Sequence, residues 1–262
     1  MTSGIVVRKC HALEEFHLCV ALQREVWGEE DLEVEPVTAF VVADSTGGQV
    51  LGAFAGDRLA GFTLAVVGIH DKVFYLHSHM TGVHSDYRDR GVGRMLKLFQ
   101  RDDALRRDIR LICWTFDPLE FRNAYFNLNR LGAISRKYLP NLYGVTTSPL
   151  HRGLATDRLL AEWHLDSPRV VAAVADAPVQ MPEYSVLIEM PASYGMAPVS
   201  TTASTKGATP GATPAEDAQQ IATLQSRLRD EFVKYFNRGY AAVAVRKDAP
   251  APAYVLCPWS DF

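Results

Sequence analysis

The chain has 262 residues, which at roughly 150 residues per domain means one large domain or one and a half. Apolar residues make up 48% and charged residues 22%, excluding global disorder, a collagen-like fibre and a disulfide-scaffold peptide. Lys and Arg number 27 against 30 for Asp and Glu, a net charge of -3. A nucleic-acid binder carries a basic surplus, so nucleic acid is not an expected partner and any anion site must be local.

In chain order, Ile5 to Arg8 is a short β-branched run that predicts a strand. From Ala12 to Trp27, Leu13, Phe16, Cys19, Val20, Val26 and Trp27 recur at mostly helical spacing. Gln49 to Ala55 and Leu59 to Val67 flank Gly56-Asp57-Arg58 and predict a hairpin. Val73 to Val83 is a long third strand. Gly91 to Arg107 carries Val92, Met95, Leu96 and Phe99 on one helical stripe. Ile109 to Phe116 is a buried strand, and Leu119 to Leu131 is a helix stopped by Gly132. Ala133 to Leu139, Leu160 to Leu165 and Val186 to Met190 are further strands. Residues 197–214 are rich in Thr, Ala, Ser, Gly and Pro and read as a flexible linker or long loop. A helix over about 216–237 follows, then strands at Tyr240 to Val245 and Tyr254 to Leu256.

Cys10, Cys19, Cys113 and Cys257 show neither metal nor disulfide spacing, which points to a reducing compartment. Met1 to Cys10 has no apolar stretch followed by a cleavage site, and no apolar run approaches the ~18 residues of a membrane span. A cytoplasmic location and no membrane partner are expected.

The most informative stretch is Val83-His84-Ser85-Asp86-Tyr87-Arg88-Asp89-Arg90-Gly91-Val92-Gly93-Arg94, between a strand and an amphipathic helix. Two glycines let the backbone turn and approach a ligand, and the helix start presents unpaired amides. Arg88, Arg90 and Arg94 add charge. A P-loop needs Gly-Lys-Ser/Thr, which is missing, and a dinucleotide fingerprint would find Leu96 at its third glycine. Arg88, Gly91 and Gly93 do satisfy [QR]-x-x-G-x-[GA], the acyl-CoA pyrophosphate loop of the GNAT (general N-acetyltransferase) superfamily. The order β, α, β, β, β, loop, α, β, α, β is also that superfamily's, and the resemblance covers roughly residues 4 to 140, or up to 165.

The resemblance implies an α/β fold, with a mixed central sheet that splays open between the strand ending at Val83 and the strand ending at Phe116. It implies helices on both faces and a small C-terminal αβ extension. It places the pantetheine arm of acetyl-CoA or another acyl-CoA against backbone groups of Thr81 to Val83. The pyrophosphate would lie on the amides of Asp89, Arg90, Gly91, Val92, Gly93 and Arg94. Asn123-Ala124 before Leu131-Gly132 resembles the superfamily's N-x-x-A-x-x-x-Y-x-x-x-G helix only in part. The usual tyrosine, four residues before the glycine, is Leu128 here, which puts the usual general acid in doubt. Asn127 is a cofactor-contact candidate on the same helix, and Tyr125, Asn127 or water could stand in for the acid.

His77-Ser78-His79-Met80-Thr81-Gly82-Val83-His84 resembles the H-x-H-x-x-x-V-H string of serotonin N-acetyltransferases, where paired histidines serve a proton relay. An acceptor amine arrives as an ammonium and must lose a proton, and an imidazole titrates in the right range. Strand alternation would put Tyr75, His77, His79 and Thr81 on one face. Two other readings compete: packed histidines with no catalytic duty, and a metal site completed by His84. Asp102-Asp103 reads as a solvated helix face, and Arg122, Arg130, Arg136, Arg152 and Arg158 as mostly surface residues, any of which could bind a carboxylate.

The chain is thus expected to be an acyl-CoA-dependent N-acyltransferase, moving an acetyl or succinyl group to a primary amine of a small molecule or amino acid. The alternative is a non-catalytic CoA-binding or regulatory module. The catalytic domain is expected over residues 1–165 and the extension over 166–262, and the piece after the linker is expected to lean on the first domain or on a second subunit in a homodimer.

Overall fold

The structure, a computed structural model, describes residues 4–28, 34–144, 154–179, 185–192, 214–247 and 251–259. The chain forms two compact units, which divide between Trp114 and Thr115.

The first unit holds β1 (Ile5–Lys9), α1 (Leu13–Trp27), α2 (Val37–Ser45), β2 (Gln49–Ala55), β3 (Arg58–His70), β4 (Val73–Val83), a single 3-10 turn (Ser85–Tyr87), α3 (Val92–Arg106) and the start of β5 (Leu111–Phe116). Its strands lie in the order β1-β2-β3-β4-β5. The first four pair antiparallel and β5 lies parallel to β4. The β3–β4 turn is Asp71-Lys72, both at positive φ, which suits the twist of a two-residue hairpin loop.

Helices cover both faces, so β2 and the first half of β3 are buried almost continuously instead of alternating. On one face Phe16, Cys19 and Leu22 of α1 and Phe40 and Ala43 of α2 pack on Val50, Phe54, Phe62 and Leu64. On the other, Val92 and Leu96 of α3 pack on Leu51 and Ala53, with Ile5, Val7 and Val83 alongside. Helix α2 was not apparent in the sequence. Its segment VTAFVVADS is short, mostly apolar and rich in β-branched residues, with exposed Val41 and Val42, so it shows no amphipathic period. Pro36 supplies the extended residue before it, and the Thr46 hydroxyl donates to the Val42 carbonyl at its end.

The second unit continues with α4 (Phe121–Tyr125), a π-turn (Phe126–Arg130), β6 (Ile134–Leu139), β7 (Arg158–His164), α5 (Pro168–Val174), β8 (Val186–Glu189), α6 (Pro214–Phe236), β9 (Tyr240–Arg246) and β10 (Ala253–Pro258). Its strands lie in the order β7-β6-β9-β10-β8, with antiparallel pairing along the series. Ile134, Ala241, Val243, Val255 and Cys257 form one core cluster. Phe232 of α6 packs edge-on against Tyr254, ring centres 5.0 Å apart. The buried Asp157 carboxylate accepts the Tyr138 hydroxyl at 2.7 Å and the Nε and Nη2 groups of Arg229 at 2.8–3.0 Å. Residues 197–213 of the expected linker lie outside the described residues, and α6 begins at Pro214.

No described helix is long and apolar enough to cross a membrane. All four cysteines are buried free thiols. Asp103, read from sequence as solvated, is buried: it pairs with Lys9 at 2.8 Å and accepts from Gln49 and Arg107. Several of the downstream arginines are committed within the second unit, Arg130 to Asp176 and Arg136 to Glu162, and Arg158 is buried against the Asp157 carbonyl.

Candidate active site

Strand β4 carries the candidate histidines and leads into the glycine loop. Its ladder with β5 has two registered pairs, Leu76 with Ile112 and His77 with Cys113. Its ladder with β3 runs on to Val83. Among the described residues, the β5-facing edge of Ser78–Val83 therefore has no registered strand partner.

The β3–β4 register slips between Leu64 and Ala65, which face Met80 and Ser78. His79 is the extra residue, a β-bulge. This overturns the single face expected for Tyr75, His77, His79 and Thr81, because alternation holds only in an unbroken strand. After the bulge, Met80 joins the α1–α2 core while Thr81 turns to Thr63, hydroxyls 3.0 Å apart. His77 and His79 stay together, ring centres 6.4 Å apart.

The two imidazoles differ. The His77 ring makes no hydrogen bond among the described residues; burial, and then the positive charges of His79 and Lys97, hold its pKa below the usual imidazole value. His79 is half exposed and places Nε2 2.9 Å from a Glu35 carboxylate oxygen. His84 takes no part in this pair: its Nδ1 accepts the Asp86 amide and its Nε2 lies 3.0 Å from Glu25. Among the described residues no group of three or more His, Cys, Asp or Glu is placed to hold a metal ion.

The loop after β4 turns through Asp89 at φ +58 and Gly91 at φ +78, both left-handed. Gly91 is the N-cap of α3, so the amides of Val92 and Gly93 fall at the start of the first turn, where no intrahelical acceptor exists. Val92 buries its side chain in the core and so anchors that turn. Gly93 is neither crowded nor at positive φ: a Cβ there would meet only Val83, at 3.9 Å. Nothing among the described residues therefore requires a glycine at that position. Arg88, Asp89 and Arg90 are exposed around it, with Arg88 Nε donating to the Val83 carbonyl at 3.3 Å and Arg90 over the Tyr87 ring.

Asn127 belongs to the second unit. It is buried in the π-turn and donates to Asn123 at 3.3 Å. Leu128, in place of a tyrosine, is fully buried and presents no proton donor.

Two residues with a bearing on the site carried no sequence signal. Glu35 lies outside any motif. Lys97 is buried under β4, its Nζ 2.8 Å from the Ser78 hydroxyl and 3.1 Å from Gln100 Oε1; burial pushes its ammonium down to about 7. The spacing of Lys97, Gln100 and Asp103 marks a polar stripe on one side of α3, visible only once that side is known to be buried.

No protein-family model matches the chain, and no curated protein matches it in sequence. Solved structures do share its fold. A GNAT-family protein from Desulfovibrio desulfuricans is 14% identical, with 62% of this chain and 99% of that one covered and a TM-score of 0.51. An N-acetyltransferase from Staphylococcus aureus Mu50 is 12% identical, covering 63% of this chain and 100% of its own, with a TM-score of 0.51. A chain of the NatC complex, solved with a Gag peptide and CoA, is 16% identical, covering 61% and 98%, with a TM-score of 0.50. Across roughly the length of one such domain, the chain has the fold of the GNAT acetyltransferases.

Proposed function

We propose that the chain is an acyl-CoA-dependent N-acyltransferase whose β4–α3 loop holds the cofactor's pyrophosphate. The observation that carries this reading is the start of α3. The amides of Val92 and Gly93 open the helix beside Arg88 and Arg90, at a glycine whose missing side chain no described residue of the chain explains. A helix N-terminus with open backbone binds a phosphate through N–H groups and the positive end of the dipole. The fold supports the same reading, and the NatC structure of that fold holds CoA. Acetyl-CoA is the expected donor, and succinyl-CoA is the other candidate.

The reaction is direct transfer. The neutral amine attacks the thioester carbonyl carbon; a C–N bond forms, the C–S bond breaks, and the thiolate leaves and takes up a proton. A backbone amide near Val83 would polarise the carbonyl. The attacking nitrogen gives up its proton to His77, whose lowered pKa keeps the ring neutral and able to accept. The acceptor is a primary amine on a small molecule or amino acid. Replacing the first-turn glycine with a larger residue, and both histidines with glutamine, tests the two halves of the proposal separately.

A second reading, a CoA-binding module without turnover, is favoured by one observation: Leu128 offers no general acid where GNAT enzymes usually carry a tyrosine. Thiol release with and without amine separates the two.

A further inference from the structure

The Glu35–His79 contact is held from behind. Gln23 of α1, with none of its surface exposed, accepts the Glu35 amide at 2.8 Å and donates to the Glu35 carbonyl at 3.2 Å. Residue 35 is also flanked by the buried Val34 and by Pro36, which opens α2. A residue before proline is confined to extended backbone. The Glu35 carboxylate therefore stands on a backbone fixed on three sides, and it meets the extra residue of a β-bulge. Such bulges re-aim a side chain and recur beside active sites.

A carboxylate oxygen only accepts, so the His79 nitrogen facing it must carry the hydrogen. That leaves Nδ1 of a neutral His79 as its accepting nitrogen. Between rings whose centres are 6.4 Å apart, one water can bridge. We propose that Glu35 is a positioning residue: it locks His79 in the Nε2–H tautomer, so that Nδ1 is ready to take the proton His77 removes from the amine. The inference rests on the reading of His77 as the base. The balance is a proton only: one leaves the amine nitrogen and passes by way of His77 to His79 Nδ1, the Nε2 hydrogen beside the Glu35 carboxylate is released to water, and exchange with water then returns the ring to the Nε2–H tautomer.

The experiment is nitrogen-15 NMR of the histidine rings at a pH where they are neutral, with assignment by single His77→Gln and His79→Gln variants. Glu35→Leu, Glu35→Gln and wild type are compared, and kcat and KM for acetyl-CoA are measured on the same samples. Wild type should show His79 as the Nε2–H tautomer alone. Glu35→Leu should show a mixture with Nδ1–H, and kcat should fall about 10- to 100-fold, the usual effect of losing a ring-orienting partner, with KM for acetyl-CoA unchanged. Glu35→Gln keeps an accepting oxygen and should restore both the tautomer and most of kcat. An unchanged tautomer in Glu35→Leu overturns the proposal, whether or not kcat falls. The reading of His77 as base fails on a different result: wild-type turnover in the double histidine variant.

Discussion

Lys97 places its ammonium nitrogen 4.1 Å from the centre of the Trp114 ring, in a site with 4% of the residue exposed. The ring face and the Ser78 and Gln100 oxygens partly replace water, yet burial still lowers its pKa to about 7. In the unfolded chain the group titrates near ~10.4. Between these values the unfolded state binds more protons, so this group makes stability rise with pH from about 7 towards about 10, and its full cost is present below pH 7. Replacing Lys97 with Met removes the component. The stability of the variant relative to wild type should decline by on the order of 2 kcal/mol between pH 7 and 9, measured by urea unfolding. A pH-independent difference would show that Lys97 is not titrating there.

The His77 pKa is lowered by burial first and by neighbouring positive charge second. Activity should therefore rise with pH along a limb whose midpoint lies below the usual ~6.5. Replacing both His77 and His79 with Gln should abolish the limb and cost about 10²- to 10⁴-fold in rate, with acetyl-CoA affinity nearly unchanged. The pH profile of kcat/KM is the check, and a retained limb assigns the proton acceptor elsewhere.

Gly93 has room for a Cβ and ordinary helical φ, whereas Gly91 does not tolerate an L-residue at φ +78 without strain. Gly93→Val should thus leave stability within about 0.5 kcal/mol, since glycine and valine are both weak helix formers. The same change should lower acetyl-CoA affinity at least tenfold by capping the amides from which the phosphate would hang. Calorimetric titration with acetyl-CoA reads this directly. Intact affinity in both Gly93→Val and Arg88→Ala would remove the loop from the cofactor site.

In the second unit, Asp157 is fully buried and its charge is met by Arg229. Arg229→Leu leaves that carboxylate unpaired and should cost about 3 kcal/mol, the usual penalty for breaking a buried pair from one side. Thermal unfolding tests it; Asp157→Asn, which keeps an oxygen for the Tyr138 hydroxyl, should cost less.

The strands and helices of the first unit were legible because their periods are local: the Val73–Val83 strand, the amphipathic α3 and the Gly91–Gly93 start all follow from spacing within a dozen residues. Helix α2 was not, since an apolar, β-branched helix has no period to detect. The bulge at His79 was not either, because a register slip is decided by the partner strand, here at Leu64 and Ala65. The same holds for Glu35, which reaches His79 across 44 positions, and for the buried polar stripe of Lys97, Gln100 and Asp103. Sequence showed which residue types could do the chemistry; tertiary pairing decided which of them meet.

The central claim is that an acyl group leaves CoA for an amine on this chain. The most direct measurement is release of free CoA thiol from acetyl-CoA and succinyl-CoA, followed with a thiol reagent in the presence and absence of a panel of primary amines and amino acids. The account predicts release that depends on both the protein and an amine, and that collapses in the double variant His77→Gln, His79→Gln. Acyl-CoA binding by calorimetry with no amine-dependent thiol release would contradict it and leave a binding module in its place.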